Sequence, residues 1–250
     1  MVERHRIRAL EERALNAWPA RQTVFHDGWV FRLSDGYTKR ANSANALTPQ
    51  GDFSRVRVAA ELLYARHSLP TIFRLTPLVP DGADKALDDL GYEHLDPTIV
   101  MTLDMSGDLD GDANGEPDIA ISAIPTPEWC AGFAAAHNIA PGARQSHDRI
   151  VSSIAPLAAF ATIARAGRPV GYGIAVTDNR MMGLFDIVVI EGARNAGVGR
   201  TLTRALLRWG RSQGAAGAYL QVTTKNTIAH TLYSQLGFKD VYRYHYRRRM

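Results

Sequence analysis

The strongest constraint on the fold lies between residues 158 and 199, where three strand-like stretches lead into a glycine-bearing loop and then a helix. Residues 158–165, 170–177 and 182–190 are rich in aliphatic side chains and are separated by the turn pairs Gly167-Arg168 and Asp178-Asn179. Connections this short point to an antiparallel meander, because a parallel pair needs a long crossover. The loop Arg194-Asn195-Ala196-Gly197-Val198-Gly199 follows, then a helix with Val198, Leu202, Ala205, Leu206 and Trp209 on one face, ended by Gly214. Residues 218–223 read as a strand, 227–236 as a helix closed by Gly237, and Phe238 onward as a last strand. With helices at 127–139 and 143–154 ahead of the meander, the expected class is α/β, a central mixed antiparallel and parallel sheet flanked by helices.

The first half echoes this order. A shift of 146 residues lays Leu90-Gly91-Tyr92 on Leu236-Gly237-Phe238. The same shift lays the helical 53–67 on 199–213 and the strand 72–76 on 218–222, so a tandem pseudo-repeat is expected. Between the halves, residues 104–116 are acidic, glycine-rich and poor in apolar side chains, the composition of a linker. The expected division is therefore a domain at 1–103, a linker at 104–116 and a second domain at 117–250.

Charge separates the halves. Residues 1–103 carry 13 basic and 13 acidic side chains, whereas 117–250 carry 16 basic against 7 acidic, a net of +9. A basic domain suits an anionic partner, either a nucleic acid or a phosphate-bearing cofactor. No apolar run approaches the ~20 residues that cross a bilayer, and the charged start Met-Val-Glu-Arg-His-Arg is unlike a signal peptide. The single Cys130 excludes an internal disulfide and reads as a small core residue, with no cysteine cluster for zinc. A cytoplasmic protein without metal or membrane contact is expected, with the oligomeric state open and a homodimer among the options.

A strand–glycine loop–helix junction suits an anion. The first amides of a helix lack intrahelical acceptors, and the helix dipole favours negative charge there. Gly197 and Gly199 leave the backbone open to close approach, and Arg194 and Arg200 add positive charge. The spacing is not the G-x-G-x-x-G of a dinucleotide fold, and the Gly-Lys-Ser/Thr of a Walker loop is absent.

Taken together, Asp186-Ile-Val-Val-Ile190, Arg194-x-x-Gly-x-Gly199, a helix, a strand, Asn226 and Tyr233-x-x-x-Gly-Phe238 resemble the GNAT superfamily of N-acetyltransferases over roughly residues 117–250. One departure is Glu191, where many members have proline. The resemblance implies a tandem GNAT-like acyl-CoA N-acyltransferase fold whose sheet splays around acyl-CoA, with acetyl-CoA as co-substrate. It further implies that Arg194, Asn195, Ala196, Gly197, Val198, Gly199 and Arg200 hold the pyrophosphate. The backbones of Val188, Val189 and Ile190 would pair with the pantetheine arm, and Asn226 would give it a polar contact or cap the next helix.

The implied reaction is direct attack of a neutral primary amine, on a small molecule or a peptide, upon the thioester. Tyr233 holds the position of the family's acid toward the leaving thiolate. A tyrosine near pKa ~10 would need either a lowered pKa or a mainly hydrogen-bonding role against a thiol near ~8.5. Asp186, the only carboxylate within 182–190, is the candidate base, with His137, His147 and His230 as alternatives. A one-residue register error would turn Asp186 away. The stretch from His137 to Arg144 would wall the acceptor. In the first half, Thr48, Phe53, Pro80 and Leu87 stand where Arg194, Gly199, Asn226 and Tyr233 stand in the second; only Gly51 matches Gly197. The first half would then be a degenerate copy. The competing readings are a non-catalytic acyl-CoA sensor and a nucleic-acid binder, the latter disfavoured because no aromatic platform interleaves with the basic residues.

Overall fold

The computed structural model describes residues 3–107 and 118–250. In chain order the first elements are α1 (Arg4–Ala17), β1 (Gln22–His26), β2 (Trp29–Leu33), β3 (Ala44–Ala46), α2 (Phe53–Arg66), β4 (Thr71–Leu75), α3 (Ala83–Asp89) and β5 (Glu93–Asp104). Then come β6 (Asp118–Ser122), α4 (Pro127–Ala136), α5 (Pro141–Ser152), β7 (Leu157–Arg165), β8 (Arg168–Asp178) and β9 (Met181–Val189). The chain closes with α6 (Val198–Ser212), β10 (Gly217–Thr223), α7 (Thr227–Gln235) and β11 (Lys239–Arg249). The expected linker falls largely on residues outside those described.

Two compact units emerge, and neither is one stretch of sequence. One comprises Met1–Val100, Val222–Thr227 and Asp240–Met250. Its strands run β1-β2-β3-β4-β11-β5, with β1, β2 and β3 antiparallel, β3 parallel to β4, and β4 antiparallel to β11. Asp27 and Gly28, both at positive φ, form the tight β1–β2 hairpin turn. Every residue of β2 and β4 is buried, and Trp29, Phe53 and Phe73 pack their rings 5.6–5.8 Å apart. Beside this aromatic core the buried carboxylate of Glu11 accepts hydrogen bonds from Arg74 and from the Tyr242 hydroxyl. Asn42 accepts from the amides of Ser34 and Gly36 through its side-chain oxygen.

The other unit comprises Met101–Gln221 and Ile228–Lys239. Its strands run β10-β9-β8-β7-β6: β7 through β9 form the expected antiparallel meander, β6 adds an antiparallel edge to it, and β10 lies parallel to β9. The last residues of β5 lie beside β10, with the Met105 amide donating to Ala216 at 3.0 Å. Thus each unit is completed by a strand from the other half of the sequence, and both have the expected mixed α/β architecture.

Local chemistry sets the element ends. Thr126 caps α4 by accepting from the Trp129 amide, with Pro127 at the first helical position. Helix α4 stops at Ala136 rather than Ile139, because Asn138 takes a left-handed conformation. Pro141 starts α5 two residues earlier than expected. The edge strand β6 was not anticipated; it is short and largely exposed, so its apolar signal is weak. The 146-residue shift holds at the level of elements: it carries α2, β4, α3 and β5 onto α6, β10, α7 and β11.

Candidate active site

The parallel pairing of β9 with β10 runs only from Met181 and Gly217 to Leu184 and Leu220. Beyond Leu184, β9 continues beside β8 alone among the described residues. Backbone groups of a strand alternate between its two edges. Ile190 donates its amide to Val170 at 3.0 Å, and Val188 lies opposite Tyr172. Val189 therefore turns its backbone to the open edge, where its carbonyl accepts from Arg194 Nε at 3.3 Å. Of the three residues expected to present backbone to a ligand, the alternation leaves Val189 best placed.

From β9 the chain passes through a 3-10 turn, Glu191–Ala193, into the expected loop. Asn195 and Gly197 both have positive φ, at 59° and 77°, which curls successive backbone amides toward one side. Helix α6 has no side-chain cap, and its first internal bond is from the Thr201 amide to the Gly197 carbonyl. The amides of Asn195 through Arg200 find no acceptor among the described residues. A Cβ on Gly197 would meet nothing within 4 Å, so glycine is required there by φ and not by crowding. Arg165 braces the loop by donating to the Ala196 carbonyl at 2.7 Å, and Arg200 donates to the Gln235 side chain. The result is an exposed, basic cradle of uncommitted donors, suited to a pyrophosphate.

Asp186 does not continue the regular strand. Between the pairs Phe185–Ile174 and Val188–Tyr172, β9 uses one residue more than β8, and Asp186 sits in this bulge with φ 50°. The bulge turns the carboxylate toward α5, where Asp186 Oδ2 lies 2.9 Å from His147 Nε2. His147 is 1% exposed, is stacked on Phe133 and Trp129, and has Asp148 Oδ1 3.2 Å from its Nδ1. Burial opposes charge on this ring, but the hydrogen bonds and charges of Asp186 and Asp148 outweigh it and hold its pKa above the usual value. Of the three candidate histidines, His147 is joined to Asp186. Its sequence signal was only its place on an apolar helix face ahead of the meander. His137 is exposed, and Cys130 is a buried thiol pushed up to about 11 by burial and by Asp148.

Tyr233 is 8% exposed and packs edge-on against Phe238. Burial pushes its hydroxyl up to about 12, and that hydroxyl has no hydrogen-bond partner among the described residues. Asn226 is exposed, just ahead of α7, and belongs to the unit that holds Val222–Thr227. At the shifted position in the first half, α2 begins differently. Gly51 keeps a positive φ of 107°, but Asp52 caps the helix, its carboxylate accepting from the Ser54 amide at 2.9 Å and hydroxyl at 2.6 Å. A negative charge therefore occupies the place where the second half offers open amides.

The chain resembles known proteins over nearly its whole length. The family described as "Probable histone acetyltransferase Rv0428c C-terminal" matches residues 5–247. An "Uncharacterized N-acetyltransferase YobR" of Bacillus subtilis is 31% identical over 244 residues, covering 96% of this chain and 98% of that protein. The "Probable histone acetyltransferase Rv0428c" of Mycobacterium tuberculosis is 27% identical over 243 residues, covering 93% of this chain and 70% of that protein. Among solved structures, a GCN5-related N-acetyltransferase from Kribbella flavida superposes with a TM-score of 0.73 at 17% identity, covering 99% and 96% of the two chains. A tandem GNAT protein from the clavulanic acid biosynthesis pathway shares the fold with a TM-score of 0.65 at 12% identity, covering 96% and 87%.

Proposed function

The chain belongs to the Rv0428c C-terminal family of GNAT-type N-acetyltransferases and is an acyl-CoA-dependent acetyltransferase; from that premise we propose that it carries an acetyl group from acetyl-CoA to a primary amine by direct attack in a ternary complex. The observation that carries this reading is the run of uncommitted amides from Asn195 to Arg200 at the start of α6, beside the open edge of β9. These amides, with Arg194 and Arg200, take the cofactor pyrophosphate. The Val189 backbone, flanked by Val188 and Ile190, receives the pantetheine arm as an added strand would. The role of Asn226 as a polar contact to that arm rests on its motif position.

Attack builds negative charge on the thioester oxygen, which a fixed backbone donor on the open edge of β9 stabilises. Asp186 takes the proton of the acceptor ammonium. Tyr233 serves the leaving sulfur as a hydrogen-bond donor. With its pKa near 12, full transfer to a thiolate near ~8.5 would start about 5 kcal/mol uphill. Of the two roles open to a tyrosine there, hydrogen bonding is the one its burial supports.

The Asp52 cap supports one working cradle per chain, with residues 1–103 a degenerate copy, 104–116 a linker and 117–250 the catalytic domain. The acceptor is a small-molecule or peptide amine, and a cytoplasmic setting suits the donor. Calorimetric titration with acetyl-CoA, followed by CoA release with butylamine, spermidine and a lysine-bearing peptide, tests the reading. Tight binding without CoA release for any amine would make the protein a sensor instead.

A further inference from the structure

We infer that Asp186 does not act alone as the base: His147 is a positioning residue that works through it, and the two hold one shared proton that the acceptor ammonium supplies. This inference rests on the reading of the site as an amine acetyltransferase.

The geometry leaves the ring little freedom. His147 is 1% exposed and packs nearly parallel to two aromatic rings, its centroid 4.7 Å from Phe133 at 16° and 6.3 Å from Trp129 at 13°. Both ring nitrogens face carboxylates, Nε2 toward Asp186 at 2.9 Å and Nδ1 toward Asp148 at 3.2 Å. Among the described residues, the ionisable groups near the pair include Arg144 on α5, 3.5 Å from Asp148, Cys130 on α4 beside Asp148, His137 against Phe133, and Tyr172 of β8 against Trp129. A neutral imidazole donates through one nitrogen only. With its proton on Nδ1 toward Asp148, it turns the Nε2 lone pair on the Asp186 carboxylate. That arrangement repels, and one added proton relieves it.

The step balances. The ammonium gives its first proton through the Asp186 carboxylate to Nε2, leaving a free amine, an unchanged carboxylate and an imidazolium bonded on both sides. The amine forms the C–N bond as the C–S bond breaks, and the second nitrogen proton leaves with the thiolate as CoA thiol. The imidazolium proton returns to solvent by the same route, accounting for the one proton released per turnover. In the imidazolium state the pair cannot accept, so transfer requires the ring to be neutral. The flanking carboxylates hold the ring protonated to higher pH than an ordinary histidine, so kcat rises through that raised titration.

The test uses the full chain with ¹³C-labelled histidine. The His147 resonance is titrated by NMR, and the pH profile of kcat is measured with acetyl-CoA and whichever of butylamine, spermidine or the lysine peptide is used best. Asp148→Asn is the main variant, because Asp148 is only partly buried; His147→Gln is the second. In Asp148→Asn the His147 pKa and the kcat inflection should fall together, by on the order of half to one pH unit, with acetyl-CoA affinity unchanged. His147→Gln should remove the inflection. A kcat inflection that stays in place while the His147 resonance shifts overturns the inference. No transfer to any amine overturns the underlying reading instead.

Discussion

The guanidinium of Arg165, at the end of β7, donates to the carbonyl oxygen of Ala196 at 2.7 Å, tying the meander to the middle of the cradle. A charged donor on one side of the loop leaves the amides on the other side available to an anion. Positive charge near the loop and the loop's shape are thus coupled through a residue 31 positions away in sequence.

Arg165→Gln therefore should weaken acetyl-CoA binding more than stability. The contact is exposed, so about 1 kcal/mol is expected, read as a roughly fivefold rise in the calorimetric Kd. An unchanged Kd would mean that the loop keeps its shape without the brace.

Gly199 and Gly197 should respond differently. A Cβ at Gly199 would meet Leu232 at 3.4 Å and Val189 at 3.7 Å, ordinary contacts inside a helix. Gly199→Ala should therefore raise Tm slightly, helix propensity contributing up to ~1 kcal/mol, while acetyl-CoA affinity falls at least several-fold. Gly197→Val, at φ 77°, should lose both stability and binding, whereas Gly197→Asn should keep the fold. Full affinity in Gly199→Ala would place the pyrophosphate elsewhere.

Removing the Tyr233 hydroxyl should cost turnover alone. That hydroxyl has no partner among the described residues, so Tyr233→Phe leaves no buried group unsatisfied and Tm should hold. A loss of about 10- to 100-fold in kcat at unchanged acetyl-CoA Kd is expected for a donor to the leaving group. Equal kcat in the variant would remove Tyr233 from the chemistry.

His147 also links stability to pH. Its folded pKa lies above the unfolded value near ~6.5, so the folded state binds the proton more tightly. Its contribution is complete below that unfolded value and is lost as pH rises through the folded one. Thermal unfolding should show Tm falling over this window in the wild type, and falling less in His147→Gln. Parallel curves for the two proteins would contradict the linkage.

In the first unit, Glu11→Ala should be among the most damaging single changes away from the site. It leaves Arg74 charged and buried and takes the partner from the Tyr242 hydroxyl. Denaturant unfolding should show about 3–5 kcal/mol lost, the usual cost of breaking one side of a buried pair. A change below 1 kcal/mol would mean that Arg74 finds another partner.

Much of this chain could be read before any coordinates. From Pro127 onward, α4 to α7 and β7 to β11 were legible within a few residues, because their signals are local: periodic apolar positions, a proline at N1, a glycine after the last turn. The 146-residue echo was legible for the same reason, since each half repeats its local order. The cradle was legible as a loop, Arg194 to Gly199, because positive φ and open amides are properties of a few consecutive residues. The edge strand β6 was not legible, since its exposed alternation carries little apolar signal.

From Pro127 onward the sequence by itself determined the elements and their order, and it marked Arg194 to Gly199 as a glycine-bearing loop entering a helix. Only the tertiary structure decided that β11 pairs with β4, that the end of β5 lies beside β10, and that Asp186 meets His147 across 39 residues. Strand partners are chosen by hydrogen bonding and side-chain fit summed over distant segments, which no local pattern encodes. The Asp186 bulge is the sharpest case: one extra residue in β9 turns a carboxylate onto a histidine of α5.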